Sequence, residues 1–350
     1  MKKIQVATST EYDVLIGFGL LSQIDRYASQ VKQPCKVVVV SDSNVAPLYM
    51  ETVTCSLSYA GYDVHSYVFT AGEERKNGDT YISILNFLSQ NKLTRSDLLI
   101  ALGGGVAGDL TGFVAATYLR GISYIQVPTS LLSMVDSSVG GKTAINLPSG
   151  KNLAGAFYQP DLVLCDTDTL KTLPEHDIRD GCAEIVKYGI LYDPQLFAHL
   201  AKHGPDFDRE YVISRCVELK RNVVCEDEFD TGNRQKLNLG HTIGHGIEVI
   251  SDYTVSHGHA VSAGISIIGR AAVAFGYLPK STYETIISVL RKFSLPTETE
   301  YAVTSLLPYI AGDKKRCGNM INLIIPHDIG DCKIHNIPIS ELKTILEAGL

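Results

Sequence analysis

No stretch of this 350-residue chain approaches the roughly 20 consecutive apolar residues of a membrane span. The longest candidate, from Ala260 to Leu278, is cut by Arg270. The eight cysteines include no Cys-x-x-Cys pair, so they read as reduced thiols of a cytoplasmic protein and not as disulfides or a zinc cluster. Excess positive charge is also lacking. A net charge of −7 argues against a nucleic-acid binder, which usually carries a basic face. Met1–Val6 holds two lysines with no apolar run behind them, so no signal peptide is expected. Repeats and low-complexity segments are missing too. What remains is a chain that is 45% hydrophobic, long enough for two domains because single cores rarely grow past roughly 250–300 residues.

The first half alternates strand and helix. Lys36–Val40 is a continuous β-branched run of the kind buried in parallel sheets, and the polar residues Ser41–Asn44 after it can cap a helix. Leu98–Leu102 predicts a second strand, 106–118 a helix, and Tyr124–Val127 a third strand closed by Pro128. This order indicates a βαβ layout with a parallel sheet. After Leu173-Pro174 the texture becomes helical over 177–203, 206–225, 236–251, 257–276 and 280–293, with one late strand over 321–325. The expected fold is α/β, with a nucleotide-binding domain over 1–172 and a mainly helical domain over 173–350.

Two motifs carry chemistry. Gly103-Gly104-Gly105-Val106-Ala107-Gly108 satisfies G-x-G-x-x-G after a strand and before a helix. Glycines there let backbone approach a pyrophosphate, which the helix N-terminus attracts. A tight turn with no ligand is the bland alternative. The acid expected about 20 residues on is replaced by Pro128-Thr129-Ser130, so Asp42, at the end of the earlier strand, is the better partner for ribose hydroxyls. The second motif is His241-Thr242-Ile243-Gly244-His245, followed by His257-Gly258-His259. His241 and His245 share a helix face, and Thr242 stands where a metalloprotease would have its glutamate. Two imidazoles and a carboxylate make a common catalytic zinc set. Core histidines satisfied by hydrogen bonds are the alternative. Spacing does not choose between Glu184 and Glu248 as the carboxylate, and Glu184 with Lys187 fits an ordinary (i, i+3) surface ion pair equally well.

Further blocks complete a pattern: Gly72–Lys76, Gly103–Asp109, Tyr118–Gly121, Val127–Ser130, Val135–Lys142, Gly150–Asn152, Ala183–Lys187, Asn238–His245 and Asp313–Lys315. In this order they resemble the 3-dehydroquinate synthase family of the shikimate pathway, from about residue 40 to 316. The resemblance implies a Rossmann-like α/β domain, a helical C-terminal domain, a homodimer, NAD and a divalent metal, zinc or cobalt. It implies Glu184, His241 and His257 as metal ligands, with Glu248 structural. Asp42, Glu73, Lys76, Gly103, Gly104, Gly105, Asp109, Thr129, Ser130, Lys142, Lys151 and Thr172 then match nucleotide contacts. In the substrate pocket, Arg120 (of this chain or a dimer partner), Lys142, Asn152, His245 and Lys315 would hold phosphate, with His245 near the proton transfers. Lys220 and Arg234 would hold a carboxylate, and Asp136, Lys187 and Asn238 would orient hydroxyls. Taken singly, each cation would be a solvated surface charge, the default for Lys and Arg.

The implied reaction converts 3-deoxy-D-arabino-heptulosonate 7-phosphate to 3-dehydroquinate and phosphate, by transient oxidation with NAD, phosphate elimination, re-reduction and intramolecular aldol closure. One departure stands out: the family usually reads His-Gly-Glu where this chain has His257-Gly258-His259. Rival readings are another sugar phosphate cyclase, a metal-dependent polyol dehydrogenase that releases NADH, and a non-catalytic NAD- or metal-binding protein. The Val135–Lys142 block and the cationic set argue against them.

Overall fold

Four successive valines, Val37–Val40, have no exposed surface and form the strand around which the first half of the chain is built. Branched side chains pack well on a pleated surface, and a strand covered on both faces has no need of polar alternation. The computed structural model describes residues 1–311, 316–317 and 319–350. They divide into two units, Met1–Leu173 with Lys220–Phe229, and Pro174–Leu219 with Asp230–Leu350.

The first unit runs β1 (Lys2–Ala7), β2 (Glu11–Gly17), α1 (Ile24–Val31), β3 (Lys36–Asp42), α2 (Ala46–Tyr59) and β4 (Asp63–Phe69). It continues through α3 (Gly78–Gln90), β5 (Leu98–Gly103), α4 (Gly105–Thr117), β6 (Ser123–Pro128), β7 (Lys142–Leu147), β8 (Gly150–Phe157) and β9 (Leu162–Asp166). Seven strands make one sheet in the order β1-β2-β9-β6-β5-β3-β4, all parallel except β1. Side chains alternate across a strand. Val37 and Val39 therefore join Ile24, Ala28, Val53 and Leu57 of α1 and α2 on one face. Val38 and Val40 join Ile84, Leu88, Leu110 and Val114 of α3 and α4 on the other. From β3 the chain moves outward to β4, then crosses back to β5. The direction of winding thus reverses between β3 and β5, where open α/β sheets bind ligands beyond their strand C-termini.

Strands β7 and β8 form a separate antiparallel hairpin that sequence periodicity missed. Their burial is broken by exposed and half-exposed positions, so no continuous apolar run marks them.

The second unit holds α5 (Glu175–Tyr192), α6 (Pro194–His203), α7 (Arg209–Glu226), α8 (His241–Ile250), α9 (His257–Ala274), α10 (Lys280–Lys292) and α11 (Val303–Ala311). After these come β10 (Arg316–Cys317), β11 (Met320–Asp328), β12 (Asp331–Pro338) and α12 (Leu342–Gly349). The last turns of α7, from Lys220, belong to the first unit. The helix expected over 177–203 is two helices. Asp193 caps the second, its Oδ1 accepting the Gln195 and Leu196 N–H groups at 3.0 Å, with Pro194 at the first helical position. The single strand expected over 321–325 is the middle of β11 in a three-stranded antiparallel sheet. Its partner β12 is largely exposed and gave no apolar signal. Among the described residues, no helix is long and apolar enough to cross a membrane.

Candidate active site

The glycine motif of the first unit lies between β5 and α4, beside the β3/β5 reversal. A Cβ on Gly108 would stand 2.7 Å from Gln126 Oε1, so glycine at that position lets α4 lie close to the Gln126 side chain of β6. Gly103 accepts the Thr129 N–H at 2.9 Å, and Gly104 leads in extended conformation to Gly105, the first residue of α4. Asp42 ends β3 and accepts from the N–H groups of Asn44 and Val45 at 2.8 and 3.1 Å, fixing the turn into α2.

One turn into α4, Asp109 receives the ammonium of Lys76, which also donates to Asn152 Oδ1 at 2.7 Å. Burial pushes the Asp109 carboxyl up, and the Lys76 charge draws it back. Asn146, which sequence reasoning passed over, ties this group together. Its N–H donates to the Lys76 carbonyl at 2.7 Å, its Nδ2 to Glu73 Oε1 at 2.9 Å, and its Oδ1 accepts the Asn152 N–H at 2.9 Å. Lys151 Nζ lies 3.9 Å from Glu73 Oε1. The hairpin therefore brings Glu73, Lys76, Asp109, Lys151 and Asn152 into one polar network.

Elsewhere in the first unit, Lys220 donates to the Asp136 carbonyl at 2.6 Å and pairs with its Oδ1 at 2.9 Å. Ser130 Oγ bonds Ser133 Oγ at 2.9 Å beside buried Thr129. Thr172 bonds the Tyr49 hydroxyl. Arg120 and Lys142 are exposed.

The second unit gathers its residues from three helices. Gly240 precedes α8 with φ of 76°, and a Cβ there would lie 2.6 Å from the Val261 carbonyl. Glycine thus lets the start of α8 rest on the backbone of α9. His241 opens α8, His257 opens α9, and Glu184 comes from the middle of α5. His241 Nε2 and His257 Nε2 stand 3.5 and 3.6 Å from Glu184 Oε1. Each imidazole is held by its other nitrogen. His241 Nδ1 meets the Leu239 carbonyl at 3.1 Å, and His257 Nδ1 meets Glu248 Oε2 at 3.3 Å. A carbonyl only accepts, so His241 Nδ1 carries the hydrogen, and Nε2 is the nitrogen turned toward Glu184.

Glu184 has no exposed surface, and among the described residues neither of its oxygens has a hydrogen bond of ordinary geometry. It forms an ion pair with Lys187, itself 1% exposed. This corrects the surface-pair reading: the spacing is (i, i+3), but both groups are buried. Burial opposes protonation of His257, yet the Glu184 and Glu248 carboxylates on either side of the ring outweigh it and push its pKa up to about 10. Two carboxylates around one ring call for positive charge. Ligand atoms of Glu184, His241 and His257 all lie within 4.8 Å of one another, as do those of His245, Glu248 and His257. Glu184 and Glu248, which spacing could not separate, face different nitrogens of the same His257 ring.

Nearby, His245 is half-buried, its ring centroid 6.1 Å from that of His257. Arg234 is 1% exposed in a 3-10 turn over Asn233–Asn238, where Asn238 Nδ2 donates to the Gln235 carbonyl at 3.0 Å. Lys76, Lys187, Lys220 and Arg234 are all buried, which overturns for them the default of a solvated surface charge. Lys315 lies outside the described residues. Sequence reasoning also missed Asp180, at 8% exposure one turn before Glu184. As one of several acids in the first half of α5, it gave no signal.

The donor set of one carboxylate and two imidazoles suits a divalent cation such as zinc. Four-coordinate ligands at about 2.0–2.1 Å from zinc stand roughly 3.4 Å apart, close to the two separations from Glu184.

Comparisons with known proteins identify the family and the fold. The models "3-dehydroquinate synthase N-terminal" and "3-dehydroquinate synthase C-terminal" match residues 66–180 and 181–316. The chain is 44% identical over 346 residues to a 3-dehydroquinate synthase of Streptococcus suis (strain 05ZYH33), covering 97% of this chain and 98% of the relative. It is also 44% identical over 343 residues to a 3-dehydroquinate synthase of Streptococcus gordonii, covering 96% and 97%. Among solved structures, 2-deoxy-scyllo-inosose synthase complexed with carbaglucose-6-phosphate, NAD+ and Co2+ superposes with a TM-score of 0.90, 24% identity and all of both chains. A 2-epi-5-epi-valiolone synthase from Streptomyces hygroscopicus with NAD+ and Zn2+ gives 0.89 at 24% identity, covering 99% and 98%. A glycerol dehydrogenase from Schizosaccharomyces pombe gives 0.67 at 17%, covering 99% and 92%. At these identities the solved structures establish the fold, and the sequence relatives establish the family. This chain belongs to the 3-dehydroquinate synthase family.

Proposed function

We propose that this protein is a lyase that converts 3-deoxy-D-arabino-heptulosonate 7-phosphate to 3-dehydroquinate and phosphate, using NAD and a divalent metal. The observation that carries the reading is the 44% identity to 3-dehydroquinate synthases over 97% of the chain. Glu184, His241 and His257 would hold the metal: Glu184 is buried, and both imidazoles turn Nε2 toward its Oε1. When bound, the metal supplies Lewis-acid polarisation of a substrate oxygen, and NAD supplies a hydride acceptor that is restored within each cycle.

In the first unit, Gly103, Gly104 and Gly105 offer backbone to a pyrophosphate, with Asp42, Glu73, Lys76, Asp109, Thr129, Ser130, Lys142, Lys151 and Thr172 as further nucleotide contacts. The proximity of Asp42 to this turn supports it: its Oδ2 lies 3.3 Å from where a Cβ of Gly103 would be. Lys142, Asn152 and Arg120, with His245 and Lys315, are assigned to phosphate. Cations and amide donors give charge-assisted hydrogen bonds to it. Lys220 and Arg234 are assigned to the carboxylate, and Asp136, Lys187 and Asn238 to hydroxyls. His245, half-buried beside the cluster, is the imidazole assigned to proton transfer. The family resemblance supports a cytoplasmic homodimer, which sedimentation of the purified protein tests.

The deciding assay supplies the heptulosonate phosphate, a catalytic amount of NAD and zinc, and records phosphate and NADH together. Phosphate released far beyond the NAD supplied, with no lasting NADH signal, is expected. NADH accumulating without phosphate would identify a dehydrogenase instead. Turnover only on sedoheptulose 7-phosphate or glucose 6-phosphate would place the protein among the other cyclases.

A further inference from the structure

The side chain that departs from the family pattern, His259, is not idle. Helix α9 starts at His257 after Ser256, yet Ser256 makes no capping hydrogen bond to its own helix. The exposed N–H groups of a helical first turn need acceptors. Here they find one on a different helix. Asp180 Oδ1 accepts the His259 N–H at 3.0 Å and faces His259 Nδ1 at 3.1 Å, and Ser256 Oγ also donates to it. Gly258 contributes its N–H to the same carboxylate. Backbones meet at this point as well: a Cβ on Gly258 would stand 2.0 Å from the Asp180 carbonyl.

The placement of the clamp matters. Asp180 is four residues before Glu184 on α5, and so one turn below it on the same face. His257 is the residue immediately before the glycine and histidine that Asp180 holds. A carboxylate that caps α9 from α5 therefore fixes the separation of Glu184 and His257. These two residues come from helices with no short connection between them.

We infer that Asp180, reinforced by His259, is a positioning residue that sets the Glu184–His257 pair for metal binding. The inference rests on the metal site proposed above. Neither residue is required to touch metal or substrate. An imidazole at position 259 suits an aspartate at 180, because its Nδ1, 2.9 Å from Ser256 Oγ and 3.1 Å from Asp180 Oδ1, can carry a hydrogen where a glutamate would oppose the aspartate with like charge.

The test is zinc affinity of the whole protein, measured by competition with a chromophoric chelator, alongside thermal unfolding of the metal-free form. His257→Ala serves as the ligand-loss reference. Asp180→Ala should weaken zinc binding about tenfold or more, the usual range for groups that orient metal ligands. Asp180→Asn keeps an acceptor oxygen and should stay within about threefold of the parent. Unchanged zinc affinity in Asp180→Ala, with only a lowered unfolding temperature, would reduce Asp180 to a structural residue and overturn the inference. Loss in Asp180→Asn as deep as in Asp180→Ala would overturn the capping account as well. Should Asp180→Ala not fold, His259→Glu reads the same contact: about tenfold weaker zinc is expected, and parental affinity would refute the clamp. Failure of the parent protein itself to bind zinc would instead remove the metal site, a result distinct from all of these.

Discussion

Lys76–Asp109 in the first unit and Lys187–Glu184 in the second each set a buried lysine against a carboxylate, and the two pairs are built in different ways. Lys76 and Asp109 come from a loop and a helix, and the hairpin adds Asn152 to the same ammonium. Asp109 keeps 17% of its side chain exposed. Lys187 and Glu184 sit on one helix with almost no exposure, and the remaining side of Glu184 faces two imidazoles. Burying a charge is costly unless it is paired and hydrogen-bonded. The first pair is surrounded by amide groups that satisfy it. The second couples the Lys187 ion pair to two imidazoles that face the same carboxylate, and this arrangement is the basis for the cation site proposed above.

The sharpest way to break this contrast is Glu184→Gln. It removes the charge at the centre of the cluster, so activity should fall by about 10³-fold or more, since the reaction depends on the metal. Stoichiometric zinc should be lost in parallel, which elemental analysis reads directly. Retained zinc at parental stoichiometry would move the ligand role to Glu248.

The first pair should respond differently. Lys76→Met leaves Asp109 buried without its counter-charge, and about 3 kcal/mol of stability should be lost. The double variant Lys76→Met/Asp109→Leu removes both charges and should recover most of that loss in denaturant titrations. NAD affinity should stay low in both. Recovery of NAD binding in the double variant would mean the pair serves only the fold.

A third pair, Asp193 with Arg215, gives the smallest effect and sharpens the comparison by being structural. Burial alone would raise the Asp193 carboxyl, but Arg215 and the two N–H groups at the head of α6 outweigh it and lower its pKa. A carboxyl depressed in the folded state contributes stability above its ordinary value near 3.9, and that contribution is lost as pH falls through the folded value. Arg215 is 38% exposed, so solvent screening holds the contribution to about 1 kcal/mol. Asp193→Asn should therefore be less stable than the parent at pH 7 and converge with it as pH falls through the lowered folded value of Asp193. Equal pH slopes for the two proteins would show that the pair does not titrate with folding.

Much of this architecture is visible along the chain. The valine run of β3, the apolar β5 and the glycines after it specify a parallel sheet with a ligand-binding turn because each depends only on local spacing. The His241–His245 periodicity and the break at Leu173-Pro174 are local in the same way. Elements whose signal is shared with a partner were missed, as with β7, β8 and β12, where exposed and half-exposed residues outnumber buried ones. The proline after Asp193 splits a helix that apolar spacing alone joins.

The sequence by itself determined the α/β sheet, the glycine turn, the family and the candidate ligands, because these rest on periods of two or 3.6 residues and on motifs of fewer than ten. Only the tertiary structure decided that Lys187 and Glu184 are buried, that Glu248 orients His257, and that Asp180 clamps His259. Burial and charge pairing between helices far apart in the chain depend on which faces meet. No local spacing carries that information.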